Sequence, residues 1–95
     1  MRYDVLVEVR LRPGIADPQG ATIERALPAL GFVGIADVSV GKAFRFAVEA
    51  ASEAEAASSA SLLAERLLAN PVIENSTVTL GGVVVAAAAQ PVPAG

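Results

Sequence analysis

The first dozen residues alternate between apolar and polar side chains, and this alternation constrains the fold more than any other feature of the chain. The apolar positions fall on every second residue, at Tyr3, Val5, Val7, Val9 and Leu11. Charged residues fill the positions between them, with Leu6 as the one apolar exception. A period of two with many β-branched residues predicts a half-buried β-strand. A strand over residues 2–12 is long for a globular protein, so we expect it to lie in the centre of a sheet or to project towards a neighbour.

The segment RPGIADPQG, residues 12–20, predicts a turn followed by the start of a helix. Pro13-Gly14 is a turn signal, Asp17 is a favourable N-cap, and Pro18 suits the first helical position. Apolar residues then recur with helical spacing at Ile23, Ala26, Leu27 and Leu30. Pro28 predicts a kink or a loosened last turn, because it removes an N–H donor from the helix.

Residues 38–50 predict a β-hairpin. Val38 and Val40 alternate with polar residues as a short second strand, and residues 44–50 alternate as a third. Gly41-Lys42 lies between the two as a tight-turn candidate. The same dipeptide does not fit a phosphate-binding loop, because that motif needs Ser or Thr after the lysine and then a helix.

A second helix and a fourth strand complete the predicted elements. Ser52 and Glu55 form a capping box, and an apolar stripe follows at Ala56, Ala60, Leu63 and Leu67. Asn70-Pro71 ends this helix, and residues 72–80 predict the fourth strand. The order β-α-β-β-α-β predicts an α+β, ferredoxin-like sandwich, in which two helices cover one face of a four-stranded antiparallel sheet. The first and third strands are central in that arrangement, and the bare second face could meet another copy.

We expect a single domain over residues 1–80, followed by a low-complexity tail at residues 81–95. The tail sequence GGVVVAAAAQPVPAG predicts an extension of the last strand through Val85 and disorder after it. A chain of only 95 residues buries a modest fraction of its surface. Part of its stability is therefore expected to come from a partner subunit.

The composition argues against an independent catalytic site. The chain has no histidine and no cysteine, which removes the commonest acid–base group, the commonest metal ligand and the thiolate nucleophile. The net charge is −3 and the basic residues are spread along the chain, which argues against nucleic acid or an anionic membrane as a partner. The N-terminus does not resemble a signal peptide, and no apolar run is long enough to span a bilayer. We therefore expect a cytoplasmic binding or assembly protein.

Three segments together resemble the PurS proteins, the small subunit of phosphoribosylformylglycinamidine synthase. They are LRPGIADPQGATIERALPALGF (residues 11–32), VSVGKAFRFAVEA (residues 38–50) and LLANPVIENSTV (residues 67–78). The likeness covers about residues 2–80 in the order and spacing of the family. The tail after Leu80 departs from the short family ending.

The resemblance implies a place in the fourth step of purine synthesis. A glutaminase subunit, PurQ, releases ammonia from glutamine, and an ATP-dependent synthetase subunit, PurL, transfers it to formylglycinamide ribonucleotide. The PurS subunit is implied to bridge the two and to help pass ammonia between them. It is also implied to form a homodimer or tetramer and to carry no catalytic residue, metal or cofactor of its own, while the complex uses ATP and Mg²⁺.

Two loops are the predicted contact surfaces for these partners, because loops commonly carry recognition. The residues are Arg12, Pro13, Gly14, Asp17 and Gln19 in the first loop, and Gly41 and Lys42 in the second. For each of them, a role that only shapes the fold stays open. Two other functions also remain: a regulatory module that resembles the amino-acid-binding ACT domains, and, as the weakest hypothesis, a free-standing enzyme.

Overall fold

A four-stranded antiparallel sheet in the order β2-β1-β3-β4 forms the centre of the fold. The structure is a computed structural model, and it describes residues 1–88. The strands are β1 (Arg2–Leu11), β2 (Gly41–Glu49), β3 (Glu74–Leu80) and β4 (Val83–Ala88), and the helices are α1 (Pro18–Ala26) and α2 (Glu53–Leu63). The predicted α+β class, with four antiparallel strands and two helices, is confirmed.

The core lies between β1 and α2. Val5, Val7 and Val9 of β1 are at most 4% exposed, and the fully buried residues of α2 and its continuation are all alanines. These are Ala56, Ala60 and Ala64, each at most 1% exposed. An alanine projects only a methyl group, so the helix can lie close to the sheet, while the larger side chains of the strands supply most of the buried apolar area. Fully burying one valine contributes about 1.5–3 kcal/mol.

The continuation of α2 is a short π-helix, Ala64–Leu68. The N–H of Ala69 donates to the carbonyl of Ala64 at 2.9 Å, five residues back instead of four. Leu68 packs against the core, whereas Leu67 is 73% exposed. The predicted stripe is therefore wrong at Leu67, because the wider turn moves the inward position by one residue.

Residues 35–40, which we call the strap, form no strand, and the predicted hairpin over residues 38–50 is therefore wrong. Gly41 and Lys42 are the first residues of β2, where they pair with Arg10 and Val9 of β1. They do not form a turn. Because no second strand forms beside it, β2 is an edge strand and not a central one.

The last described residues turn back on the sheet and do not extend β3. Gly81 and Gly82 have φ values of 56° and 85°, a backbone region that favours glycine in a tight hairpin turn. The following strand, β4, pairs antiparallel with β3, with a register shift between Val78 and Thr79. The predicted strand extension is thus replaced by a new edge strand. The predicted disorder further along falls on residues 89–95, outside the described part of the chain.

Helix α1 begins where the sequence predicted and is interrupted near Pro28 as expected, but its apolar side is open. It starts at Pro18 after the N-cap and ends at Ala26, and a 3-10 turn, Pro28–Leu30, replaces its last turn. The exposed apolar residues here are Ile23 (46% exposed), Leu30 (69%) and Phe32 (53%). No helix within residues 1–88 is long and apolar enough to cross a membrane.

Candidate functional site

Asp17 joins the start of α1 to the strap. Its Oδ1 accepts a hydrogen bond from the N–H of Gly20 at 2.9 Å, and its Oδ2 accepts one from the N–H of Val40 at 2.8 Å. These two backbone donors favour the charged carboxylate and hold the pKa of Asp17 below its ordinary value, against a smaller opposing effect of desolvation. The predicted N-cap therefore has a second structural role that the sequence did not reveal.

Glu24 makes a second contact of the same kind. Its Oε1 accepts a hydrogen bond from the N–H of Val38 at 2.9 Å, so alternate N–H groups of the strap bind side chains of α1. Gly20 lies between the two carboxylates, and a Cβ atom there would lie 2.3 Å from the carbonyl oxygen of Val38. We call Asp17, Gly20 and Glu24, with the strap they hold, the carboxylate latch.

Gly41, in the second predicted loop, lies where the backbones of β1 and β2 are packed closely together. A Cβ atom at Gly41 would lie 2.7 Å from the carbonyl oxygen of Val9, so a side chain does not fit without a shift of β1 or β2. Lys42 Nζ lies 3.8 Å from Glu74 Oε2, and the other oxygen of Glu74 accepts a hydrogen bond from the N–H of Asn70 at 2.7 Å. The Lys42 side chain is 60% exposed, and an exposed ion pair of this kind contributes at most about 1 kcal/mol.

Arg12 fixes the first predicted loop to the turn that precedes β3. Its N–H donates to the carbonyl of Ile73 at 2.8 Å, and its Nη1 donates to the carbonyl of Val72. Pro13 and Gly14 follow as an exposed turn, in which Gly14 has a φ of 86°. The backbone around this loop is therefore anchored at its beginning by Arg12 and at its end by Asp17.

The structure brings the two predicted loops together along one groove of about 320 Å³. Four of the predicted contact residues line it: Asp17, Gln19, Gly41 and Lys42. Arg12, Pro13 and Gly14 are not among its lining residues and form the adjoining turn. Glu74, which the sequence analysis did not single out, also lines the groove. Glu74 was predicted only as part of a strand. Its contact with Lys42 could not be predicted, because the two residues are far apart in the sequence.

Charged side chains that line the groove make contacts within the chain. Asp17 is occupied by two backbone donors, and Lys42 lies beside Glu74. Residues 1–88 contain no group of three or more acidic, histidine or cysteine side chains placed to hold a metal ion. The side chains of Gln19 and Lys42 are exposed at this groove.

Residues 4–82 match the family described as PurS: Phosphoribosylformylglycinamidine (FGAM) synthase. The phosphoribosylformylglycinamidine synthase subunit PurS of Archaeoglobus fulgidus is 42% identical to this chain over 82% of the chain and 95% of the relative's own length. The chain therefore spans nearly the whole of this relative.

The fold is similar to that of solved PurS structures. A chain from the structure of PurLQS from Thermotoga maritima has a TM-score of 0.79 and 30% identity, and the match covers 84% of this chain and 98% of that one. PurS from Methanocaldococcus jannaschii is described as one of the subunits of formylglycinamide ribonucleotide amidotransferase in the purine biosynthetic pathway. It has a TM-score of 0.73 at 30% identity, over 85% of this chain and 98% of that chain.

Proposed function

The chain belongs to the PurS family, and we propose that it serves as the small subunit of phosphoribosylformylglycinamidine synthase in purine biosynthesis. The observation that carries this proposal is the match of residues 4–82 to the family. The similarity to a chain of the PurLQS structure supports association with the glutaminase and synthetase subunits. The chain acts there as a homo-oligomer within an ATP-dependent complex. We further propose that the complex uses Mg²⁺, that this subunit binds no cofactor itself, and that it works in the cytoplasm.

The role we propose for the subunit is positional. Ammonia released from glutamine is lost if it is protonated or diffuses into water before it reaches the synthetase site. Two active sites held in fixed relative geometry and shielded from water avoid this loss. A small rigid subunit at their junction supplies such geometry without touching the reacting atoms.

The carboxylate latch and Arg12 support the use of the groove as a contact surface. Three backbone segments meet there, and side-chain hydrogen bonds hold them before any partner binds. A preorganised surface loses less conformational entropy on association. We propose that the partner subunits contact Arg12, Pro13, Gly14, Asp17, Gln19, Gly41 and Lys42, through the exposed atoms of these residues in the first loop and at the start of β2. The family match favours this function over the ACT-like regulatory module.

Reconstitution of the complex tests the proposal. The chain is mixed with the glutaminase and synthetase subunits, and product formation is measured with glutamine and, separately, with an ammonium salt as the nitrogen source. We expect glutamine-dependent synthesis to need the chain and ammonium-dependent synthesis by the synthetase to proceed without it. Equal glutamine-dependent activity with and without the chain would reject the proposal.

A further inference from the structure

A hollow of about 550 Å³ lies on the open face of the sheet, the face turned away from α2. It is at the end of the sheet where β1 begins, and it shares no lining residue with the groove. Side chains alternate between the two faces of a strand, so the burial of Val5 and Val7 in the core directs Asp4 and Leu6 to the open face. The volume of the hollow is within the range of small-molecule sites, about 300–1,000 Å³.

The floor of the hollow is made of residues with small side chains or none. Ala47 of β2 pairs with Asp4 of β1, and the turn at Gly81 and Gly82 lies on the other side of Asp4. The N–H of Gly81 donates to the carbonyl of Asp4 at 3.3 Å, which fixes this turn to β1. One methyl group and two glycines leave space above the row. The hollow is therefore a consequence of how the strands pair.

Longer side chains line the hollow on both sides of this row. On one side, Leu6 lies between its two partners, Arg45 of β2 and Thr79 of β3. On the other side is Arg2, which comes four residues before Leu6 on β1. Side chains on one face of a strand repeat about every 7 Å, so the backbones of the two arginines are about 14 Å apart. Both arginines line the hollow, one at each end.

The two arginines are available to an anion. Within residues 1–88, the Arg45 side chain makes no ion pair and no hydrogen bond. Arg2 Nε lies 3.8 Å from Asp4 Oδ1, and the two side chains are 74% and 86% exposed. An exposed contact of this length holds the two groups together only weakly. Two positive charges and one negative charge make the hollow locally cationic, although the net charge of the chain is −3.

We propose that this hollow binds a small organic phosphate monoester, with its phosphate group held by Arg45 and Arg2. The planar guanidinium group offers paired N–H donors that match the oxygens of a phosphate. The hydroxyl of Thr79 adds a neutral donor, while Leu6 and Ala47 offer apolar contact to the organic part of the ligand. The hollow has room for more than a bare phosphate ion, which favours an ester. This inference goes beyond the proposed function, because none of these residues is among the proposed partner contacts.

Titration of the isotope-labelled chain, followed by NMR, tests the site. The probes are ribose 5-phosphate and adenosine monophosphate, each compared with its phosphate-free counterpart, ribose or adenosine, and with inorganic phosphate. At fixed ionic strength, we expect a phosphate ester to cause saturable shifts of the backbone N–H signals of Ala47 and Gly82. The phosphate-free counterparts should cause none. The ester that binds more tightly distinguishes a sugar phosphate from a nucleotide as the ligand.

Four substitutions separate a built site from a general attraction of anions. Arg45→Gln removes one cation and should weaken binding of the ester by about tenfold, the usual effect of losing one charge-assisted hydrogen bond. Ala47→Leu changes no charge but fills the floor of the hollow, so it should abolish binding. Asp4→Asn removes the one negative charge and should tighten binding. Arg66→Gln is the matched control, because Arg66 is equally an exposed arginine but lies outside the hollow.

The outcomes either support or overturn the inference. Tighter binding of an ester than of inorganic phosphate, lost in Ala47→Leu, weakened in Arg45→Gln and strengthened in Asp4→Asn, supports it. The absence of saturable shifts with both esters, equal binding of inorganic phosphate, or equal weakening by Arg45→Gln and Arg66→Gln overturns it. The spectrum of each variant without a probe shows whether its fold is intact. These measurements need no partner subunit, so a failed site leaves the glutamine-dependent assay as an independent test of function.

Discussion

Replacing Gly20 with alanine tests how tightly the carboxylate latch is packed. Alanine in a helix is favoured over glycine by at most about 1 kcal/mol. The new Cβ atom, however, would lie 2.3 Å from the carbonyl oxygen of Val38 and 2.8 Å from Asp17 Oδ2. Overpacking costs about 1–3 kcal/mol, and the upper value applies because a backbone atom has to move. We therefore expect Gly20→Ala to lower the free energy of unfolding by about 2 kcal/mol.

Thermal unfolding at fixed protein concentration measures this effect, and the expected fall in Tm is about 8–16 °C for a domain of this size. Amide hydrogen exchange gives a local reading, since the N–H groups of Val38 and Val40 should lose protection. Gln19→Ala is the control, because Gln19 is exposed in the same helical turn and its change should stay within about 0.5 kcal/mol. A Gly20→Ala protein as stable as the wild type would refute the close packing of strap and helix.

Three further substitutions test other parts of the structure. Asp17→Asn should make the stability of the domain less dependent on pH. Hydrogen bonds lower the folded-state pKa of Asp17, so its carboxylate stabilises the fold above the ordinary carboxyl pKa. This stabilisation is lost as the pH falls through the folded-state pKa. Denaturation midpoints measured from neutral to acidic pH should therefore vary less in the variant. Val7→Asp should unfold the domain because Val7 is fully buried. Its burial contributes about 1.5–3 kcal/mol, and an unpaired buried charge costs more. A native circular dichroism spectrum of this variant would contradict the assigned strand faces. Arg12→Ala should weaken binding to the partner subunits in a pull-down while circular dichroism stays native, and undiminished binding would remove Arg12 from the contact surface.

Patterns within short stretches of sequence were sufficient to predict β1, the two N-caps and the break at Pro28. The alternation of residues 2–12 predicted β1 and the burial of Val5, Val7 and Val9. The N-caps at Asp17 and Ser52 were also correct, since each side chain accepts a hydrogen bond from a backbone N–H three residues later. The break at Pro28 follows from the missing N–H alone.

The errors arise where distant groups decide the structure. Val38 and Val40 alternate like a strand, but their N–H groups bind Glu24 and Asp17. The sequence predicted only the N-cap role of Asp17. The site was predicted as two separate loops, and the pairing of Gly41 with Arg10 is what joins them into one groove. Neither contact has a signature within a short window of sequence.

The two edges of the sheet within residues 1–88 differ in the regularity of their pairing. The pairing of β4 with β3 is interrupted by a register shift, whereas β2 has 9 residues in continuous register with β1. A chain with one strand edge suited to pairing forms a closed pair and stops, while two such edges would allow an open-ended fibre. Within residues 1–88, the irregular pairing of β4 with β3 therefore works against the growth of an open-ended fibre of sheets.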